Sequence, residues 1–252
     1  MKYSQLYSEL ERIIPRGLSC DWDNDGDMLC LDGERDIKKV LVTLDITLSA
    51  IEYAKKGGYD LIVSHHPLIF KPLRALNENG ISARRVCELI KSDICAMSFH
   101  TRLDAVCVND ALAQRLKLEE VEEFSIEGIP MGRVGVLSQE MTVEDFASYV
   151  KEKLGAAFVE YPRIEKNIRK VALLGGSGGD AISEASRLAD CLVTGECGFN
   201  KAQDSAEAGF PVFVAGHYYT EDPVCEKIVK IINEVDEEIK CDIFHSNIFG
   251  VK

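Results

Sequence analysis

The chain has 252 residues, 46% hydrophobic and 28% charged, which is enough apolar material to bury the core of one large domain or two of ordinary size. Forty-two acidic against 29 basic residues give a net charge of −13; a surface of that sign repels phosphate backbones and argues against nucleic acid as a partner. No apolar run approaches the roughly 20 residues of a membrane span. The nine cysteines are scattered and never form a Cys-x-x-Cys pair, so they read as reduced thiols of a cytoplasmic protein rather than a zinc ribbon or redox motif.

In chain order, the stretch from Met1 to Leu6 reads as the start of an amphipathic helix, not a secretory leader. Val40 to Leu44 is a β-rich run followed by Asp45, then a helix over Leu48 to Lys56 closed by Gly57-Gly58. Asp60 to Ser64 is the next strand and ends at His65-His66-Pro67. A helix over Ala83 to Lys91 leads to a strand over Ile94 to Ser98, which ends at His100-Thr101, and Asn109 to Leu116 is helical. Glu119 to Glu123 is too acidic for a core element, and a βαβ-like stretch, Arg133 to Tyr161, opens the second half. Val171 to Leu174 is a strand, Gly175 to Gly179 a turn, and Asp180 to Leu188 a helix. Cys191 to Val193 is a strand leading into Thr194-Gly195-Glu196. Lys201 to Ala208 is a helix closed by Gly209, Pro211 to Ala215 a strand ending at Gly216-His217, and Asp222 to Val235 a helix with Pro223 in its first turn.

Each half holds three successive strand-to-helix units, which points to an internal duplication over residues 1–125 and 126–252, joined between about Glu119 and Gly132. Alternation of this kind predicts α/β architecture with mostly parallel strands.

Four of the five histidines fall just after predicted strands, where the open strand ends of an α/β sheet collect ligands. Neighbours on an extended segment point to opposite sides, so His65 and His66 suit two metal ions better than one. The alternative is a loop dipeptide. Asp104 offers a hard oxygen near His100; the alternatives are a helix cap and a hydrogen-bonded core histidine. His217 and Glu221, four apart, share a face if the helix begins early, and a glutamate spans two cations about 3.5–4 Å apart. The alternative makes Thr220 the N-cap. Backbone N–H groups of Gly176, Ser177 and Gly178 could hold a substrate phosphate, although the segment lacks a Walker lysine and a dinucleotide fingerprint.

The segments Trp22-Asp23-Asn24, Ser64-His65-His66-Pro67-Leu68, His100-Thr101 with Asp104, Asn109-Asp110, Gly175-Gly176-Ser177-Gly178, Thr194-Gly195-Glu196 and Gly216-His217 with Glu221 together resemble the GTP cyclohydrolase I type 2 family. That family is also known as the Nif-three-like or dinuclear-metal family. The match runs in order over nearly the whole chain. It implies two similar α/β repeats with mixed sheets facing a shared metal cleft, in a short form without an inserted domain, assembled as a ring-shaped homohexamer. His65 and Asp104 then hold one metal, His66 and His217 the other, and Glu221 is shared. The sequence departs from the family pattern at Asp27, where a hydrophobic residue is usual. It also departs at Ala105 to Val108, which shorten a glycine-rich link, and at Phe199 and Asn200, which replace histidines.

Three imidazoles and two carboxylates around two divalent ions (Zn, Fe, Mn or Ni) suit hydrolysis. The resemblance makes the substrate a nucleotide, with water attacking the ring carbon of GTP, and Glu221 and His100 become the candidates for proton transfer. Two alternatives stand beside this reading: a metal-binding or regulatory protein without turnover, and a nucleotide metallophosphoesterase that releases phosphate instead of formate.

Overall fold

A computed structural model of the chain describes residues 1–77, 79–126 and 128–250. Two five-stranded mixed sheets organise it, each the centre of one compact unit. No disulfide joins the cysteines, and among the described residues no helix is long and apolar enough to cross a membrane.

The first unit comprises Met1–Leu103 and Val224–Ile248. Helix α1 (Tyr3–Ile13) precedes β1 (Gly26–Leu29), β2 (Lys39–Thr43), α2 (Leu48–Gly57), β3 (Leu61–Ser64), α3 (Ile81–Lys91), β4 (Cys95–Ser98) and the short turn α4 (Thr101–Leu103). Helix α10 (Val224–Val235) and strand β10 (Lys240–Phe244) return to it from the end of the chain. The strand order is β1-β4-β3-β2-β10; β1 runs antiparallel to β4 and the other pairs are parallel. Strands β3 and β4 are buried at every position and accordingly read as continuous small or apolar runs. Leu41, Ile62 and Ala96 stand in register and face Ile51, Ala54, Val86 and Leu89 of α2 and α3. Gly58, in the left-handed conformation at φ 65°, closes α2, as its glycine predicts.

The second unit is Asp104–Pro223 with Phe249 and Gly250. A π-helical turn, Asp104–Val108, runs into α5 (Asn109–Arg115), followed by β5 (Glu119–Ile126), β6 (Ile129–Thr142), α6 (Val143–Leu154) and β7 (Asn167–Ser177). Then come α7 (Ile182–Ala185), β8 (Cys191–Glu196), α8 (Phe199–Glu207), β9 (Val212–Val214) and α9 (His217–Glu221). Strand order follows the chain, β5 to β9, with antiparallel pairing at β5/β6/β7 and parallel pairing at β7/β8/β9. Leu173, Val193 and Phe213 line one face, with Leu112, Phe146 and Val150 packed on them. Ala172, Leu192 and Val212 line the other, under Ala181 and Ala185.

Several expectations change. The compact units do not follow the linear halves 1–125 and 126–252, because the last helix and strand go back to the first sheet. The acidic stretch at Glu119, expected to be no core element, is an exposed strand. It lies at a sheet edge, where only Phe124 is buried and the glutamates stay in water, a common way to keep an edge from pairing with other chains. The helix expected over Asp222–Val235 is α10, which starts at Val224; a separate short helix, α9, ends just before it at Glu221. Asp27 accepts a hydrogen bond from Tyr3 Oη at 2.7 Å, and burial together with that contact raises the phenol's pKa.

Candidate functional site

In the first unit the site begins where β3 and β4 end side by side. Ser64 and Ser98 are paired in register, and their hydroxyls lie 2.8 Å apart. Leu68 N–H donates to Ser98 Oγ at 3.2 Å, and Ser64 Oγ donates to the His66 carbonyl at 2.7 Å. The one arrangement that satisfies this chain has Ser98 donating to Ser64. These bonds fold the segment after β3 back over the strand end and fix His65 and His66.

One ligand-capable atom from each of His65, His66 and His100 lies within 4.8 Å of the others. The rings of His65 and His66 are 5.0 Å apart, and each lies within 5.6 Å of the His100 ring. The strand stops at Ser64 and the backbone bends at His65 and His66, so strand alternation no longer applies there.

Each of these rings is held through Nδ1. The His65 Nδ1 is 3.1 Å from the Phe99 carbonyl; a carbonyl only accepts, so that nitrogen carries the proton and Nε2 is the acceptor nitrogen. His66 Nδ1 meets Asp45 Oδ1 at 3.0 Å, and His100 Nδ1 meets Asp23 Oδ1 at 2.9 Å. An imidazole whose outer nitrogen is tied to carboxylate or carbonyl oxygen is oriented and made more basic at Nε2, as in the second shell of metal sites.

The loop before β1 supplies the anchor. Thr101 donates to Asp23 Oδ2 through both its N–H and its hydroxyl, at 3.1 and 2.7 Å, and Thr101 Oγ1 accepts from Cys20 N–H at 2.9 Å. Burial pushes the Asp23 pKa up, but the bonds from His100 and Thr101 outweigh it and leave it lowered to about 2. Next to it, the fully buried Arg102 donates from Nε to Asp25 Oδ2 at 3.1 Å and from Nη1 to Glu11 at 2.7 Å, with Nη2 at ion-pair distance, 3.1 Å, from Asp25 Oδ1.

In the second unit, α9 begins at His217, so His217 and Glu221 do share a helical face; their Nε2 and Oε2 atoms are 2.9 Å apart. Thr220 lies inside α9 and is not an N-cap. The Nδ1 of His217 faces Glu196 Oε1 at 3.1 Å. A nitrogen lone pair and a carboxylate at 2.9 Å attract only when a proton or a cation lies between them, so this pair suits a divalent ion in donor chemistry. Asp104 opens the π turn, a feature frequent at functional sites, and the short link Ala105 to Val108 forms the rest of it.

The glycine segment has another task than cradling phosphate. Gly175 N–H donates to Asn109 Oδ1 at 2.8 Å, Gly176 N–H to Thr220 Oγ1 at 3.1 Å, and Gly178 N–H to the Glu196 carbonyl at 3.2 Å. The amides of Gly176 and Gly178 are thus committed within the protein, and Ser177 lies in β7, paired in register with Glu196. Glycine is needed because α9 lies so close: at Gly176, φ +62°, a Cβ would overlap the Glu221 carboxylate, and at Gly195 it would come 2.7 Å from the His217 Cα. Asn109 ties the segment down, its Nδ2 donating to the Met131 carbonyl at 2.8 Å. Phe199 is 79% exposed. The partners of the histidines, namely Asp23, Asp45, Glu196 and the Phe99 carbonyl, were not singled out from the sequence. Their positions at strand ends and in the Trp22-Asp23-Asn24 and Thr194-Gly195-Glu196 segments were the available signal.

Comparison with known proteins follows the same lines. The family model described as Duf34/NIF3 (NGG1p interacting factor 3) matches residues 1–249. A GTP cyclohydrolase 1 type 2 homolog of Clostridium perfringens is 32% identical over 96% of this chain and 94% of its own, and one of Methanocaldococcus jannaschii is 31% identical over 88% and 90%. Among solved structures, Staphylococcus aureus protein SA1388 superposes with TM-score 0.90 at 25% identity, covering 100% of this chain and 99% of that one. Reduced HcgD from Methanocaldococcus jannaschii gives 0.80 at 28%, covering 96% and 97%. The chain therefore belongs to the DUF34/NIF3 family.

Proposed function

We propose that the protein is a metal-dependent hydrolase acting on a nucleotide through a dinuclear centre, of the GTP cyclohydrolase I type 2 kind carried in its relatives' names. In this reading the histidines of the first unit and the acid-histidine pair of the second complete one site. His65 and Asp104 serve one divalent ion, His66 and His217 the other, and Glu221 both, in a protein that assembles as a homohexamer. The supporting observation is that His65, His66, His100 and His217 all turn Nδ1 toward an oxygen, so that Nε2 is the basic nitrogen of each.

When bound, two such ions lower the pKa of a water and steady negative charge developing on the substrate. The chain's own groups do the rest. Asp23 holds the His100 ring in one orientation, so that its Nε2 takes a proton from the attacking water or returns one to the leaving group. Glu221, beside His217, is the second proton carrier. His100 is thus a catalytic residue and Asp23 a positioning residue.

Elemental analysis of the purified protein tests the centre: two ions per chain are expected, and fewer in the His66→Ala and Glu221→Ala proteins. Full metal content in both variants refutes the assignment. Incubation with GTP tests the chemistry. Formate release supports ring hydrolysis, phosphate release the phosphoesterase alternative, and no product under any of the four metals a binding or regulatory role.

A further inference from the structure

Next to the histidines of the first unit lies a groove of about 560 Å³, formed between the loop after His66 and the start of α3. Its described lining includes Lys71, Arg74 and Arg85 and no acidic side chain, in a chain where acids outnumber bases by 42 to 29. Among the described residues none of the three cations ion-pairs with a carboxylate, and Arg85 Nε is buried without a hydrogen-bond partner. Phe70 lines the same groove and is 46% exposed. It meets Trp22 edge-on, ring centres 6.1 Å apart, and Trp22 is 61% exposed with its ring centre 6.0 Å from that of His100. Asn24 donates to the Ile69 carbonyl and ties the tryptophan loop to the groove loop. The exposed indole and its Phe70 neighbour offer a flat aromatic face to a planar ligand, and that face stands between the candidate proton carrier and a cationic trough.

We propose that Trp22 and the groove form a nucleotide cradle. The base stacks on the exposed indole with Phe70 at its edge, and the phosphates run outward over Lys71, Arg74 and Arg85. The inference rests on the nucleotide reading above and adds an orientation: the base lies beside His100 and the phosphates lie away from it, which suits attack on a ring carbon rather than on phosphorus. Aromatic faces hold bases by stacking, and Lys and Arg hold phosphates by charge.

Trp22 is the chain's single tryptophan, so its fluorescence reports on the site directly. The experiment titrates the full-length protein with GTP, guanosine and inorganic triphosphate, exciting the indole beyond the nucleotide's absorption. Saturable quenching by GTP is expected, with triphosphate competing but not quenching. Phe70→Ala and Lys71→Ala/Arg74→Ala are each expected to weaken GTP about tenfold, the double variant also flattening the salt dependence. Metal content and unfolding midpoint of each variant are measured alongside and should not move. Two ions per chain with no response of Trp22 to GTP overturns the cradle and leaves the metal centre standing. Quenching by GTP in protein that holds no ions does the reverse. Unchanged affinity in Lys71→Ala/Arg74→Ala removes the phosphate trough, and with it the proposed orientation.

Discussion

Nδ1 of His217 lies 3.1 Å from Oε1 of Glu196, and Nε2 of the same ring lies 2.9 Å from Oε2 of Glu221. One carboxylate therefore holds the ring from behind while the other stands where a cation would sit. Glu196→Ala should lower metal affinity about 10- to 100-fold with little change in folding. Glu196→Gln, whose amide oxygen still accepts, should keep most of it. Competition with a chromophoric chelator measures both, and an unaltered Glu196→Ala affinity would remove the orienting role.

Gly176 takes φ +62° against the Glu221 carboxylate. Gly176→Ala adds backbone strain and pushes that carboxylate away, so a loss of about 1–3 kcal/mol in stability is expected together with reduced metal content. Gly128, also at positive φ but with nothing within 4 Å of an added Cβ, is the control. Gly128→Ala should cost stability alone. Urea unfolding and elemental analysis separate the two.

Asp23 carries a folded-state pKa of about 2 against an ordinary 3.8. A carboxylate with a depressed folded pKa stabilises the fold fully above its unfolded value and loses that contribution as pH falls through the folded one. The contribution is about 2 kcal/mol. Thermal midpoints of wild type and Asp23→Asn should differ at pH 5 and converge between about pH 4 and pH 2. A gap that persists at the lower end would assign the effect to shape rather than charge.

Arg102 is fully buried and shared between Asp25 and Glu11. Arg102→Met strands the buried Asp25 and should cost about 3–5 kcal/mol. Arg102→Lys should recover little of that, because an ammonium cannot reproduce the guanidinium's simultaneous donation from Nε to Asp25 and from Nη1 to Glu11. Denaturant midpoints at neutral pH decide it; a near-native lysine variant would show that charge alone suffices.

The parts of the fold legible in the sequence are those buried on both faces. Val40–Thr43, Leu61–Ser64 and Val171–Leu174 read as strands because no register exposes them. Strand β1 opens on Gly26-Asp27 directly after Asp25, and β10 is nowhere fully buried at its sheet edge, so neither has a buried apolar run to announce it. The histidines were legible from their place after strands. The bend at His65 was not, because it depends on hydrogen bonds between Ser64, Ser98 and Leu68 that join residues 30 or more apart in the chain. Asp23, Asp45 and Glu196 were three acids among 42 until their distances to imidazole nitrogen singled them out.

The return of α10 and β10 to the first sheet has a consequence for biosynthesis. Translation delivers Asp104–Pro223 before the last strand of the earlier sheet exists. The nascent chain thus carries β2 with an open flank while the middle of the polypeptide is already able to fold. The unit that leaves the ribosome first is the one that matures last, and the interval before Lys240–Phe244 emerges is when it is most exposed to mispairing.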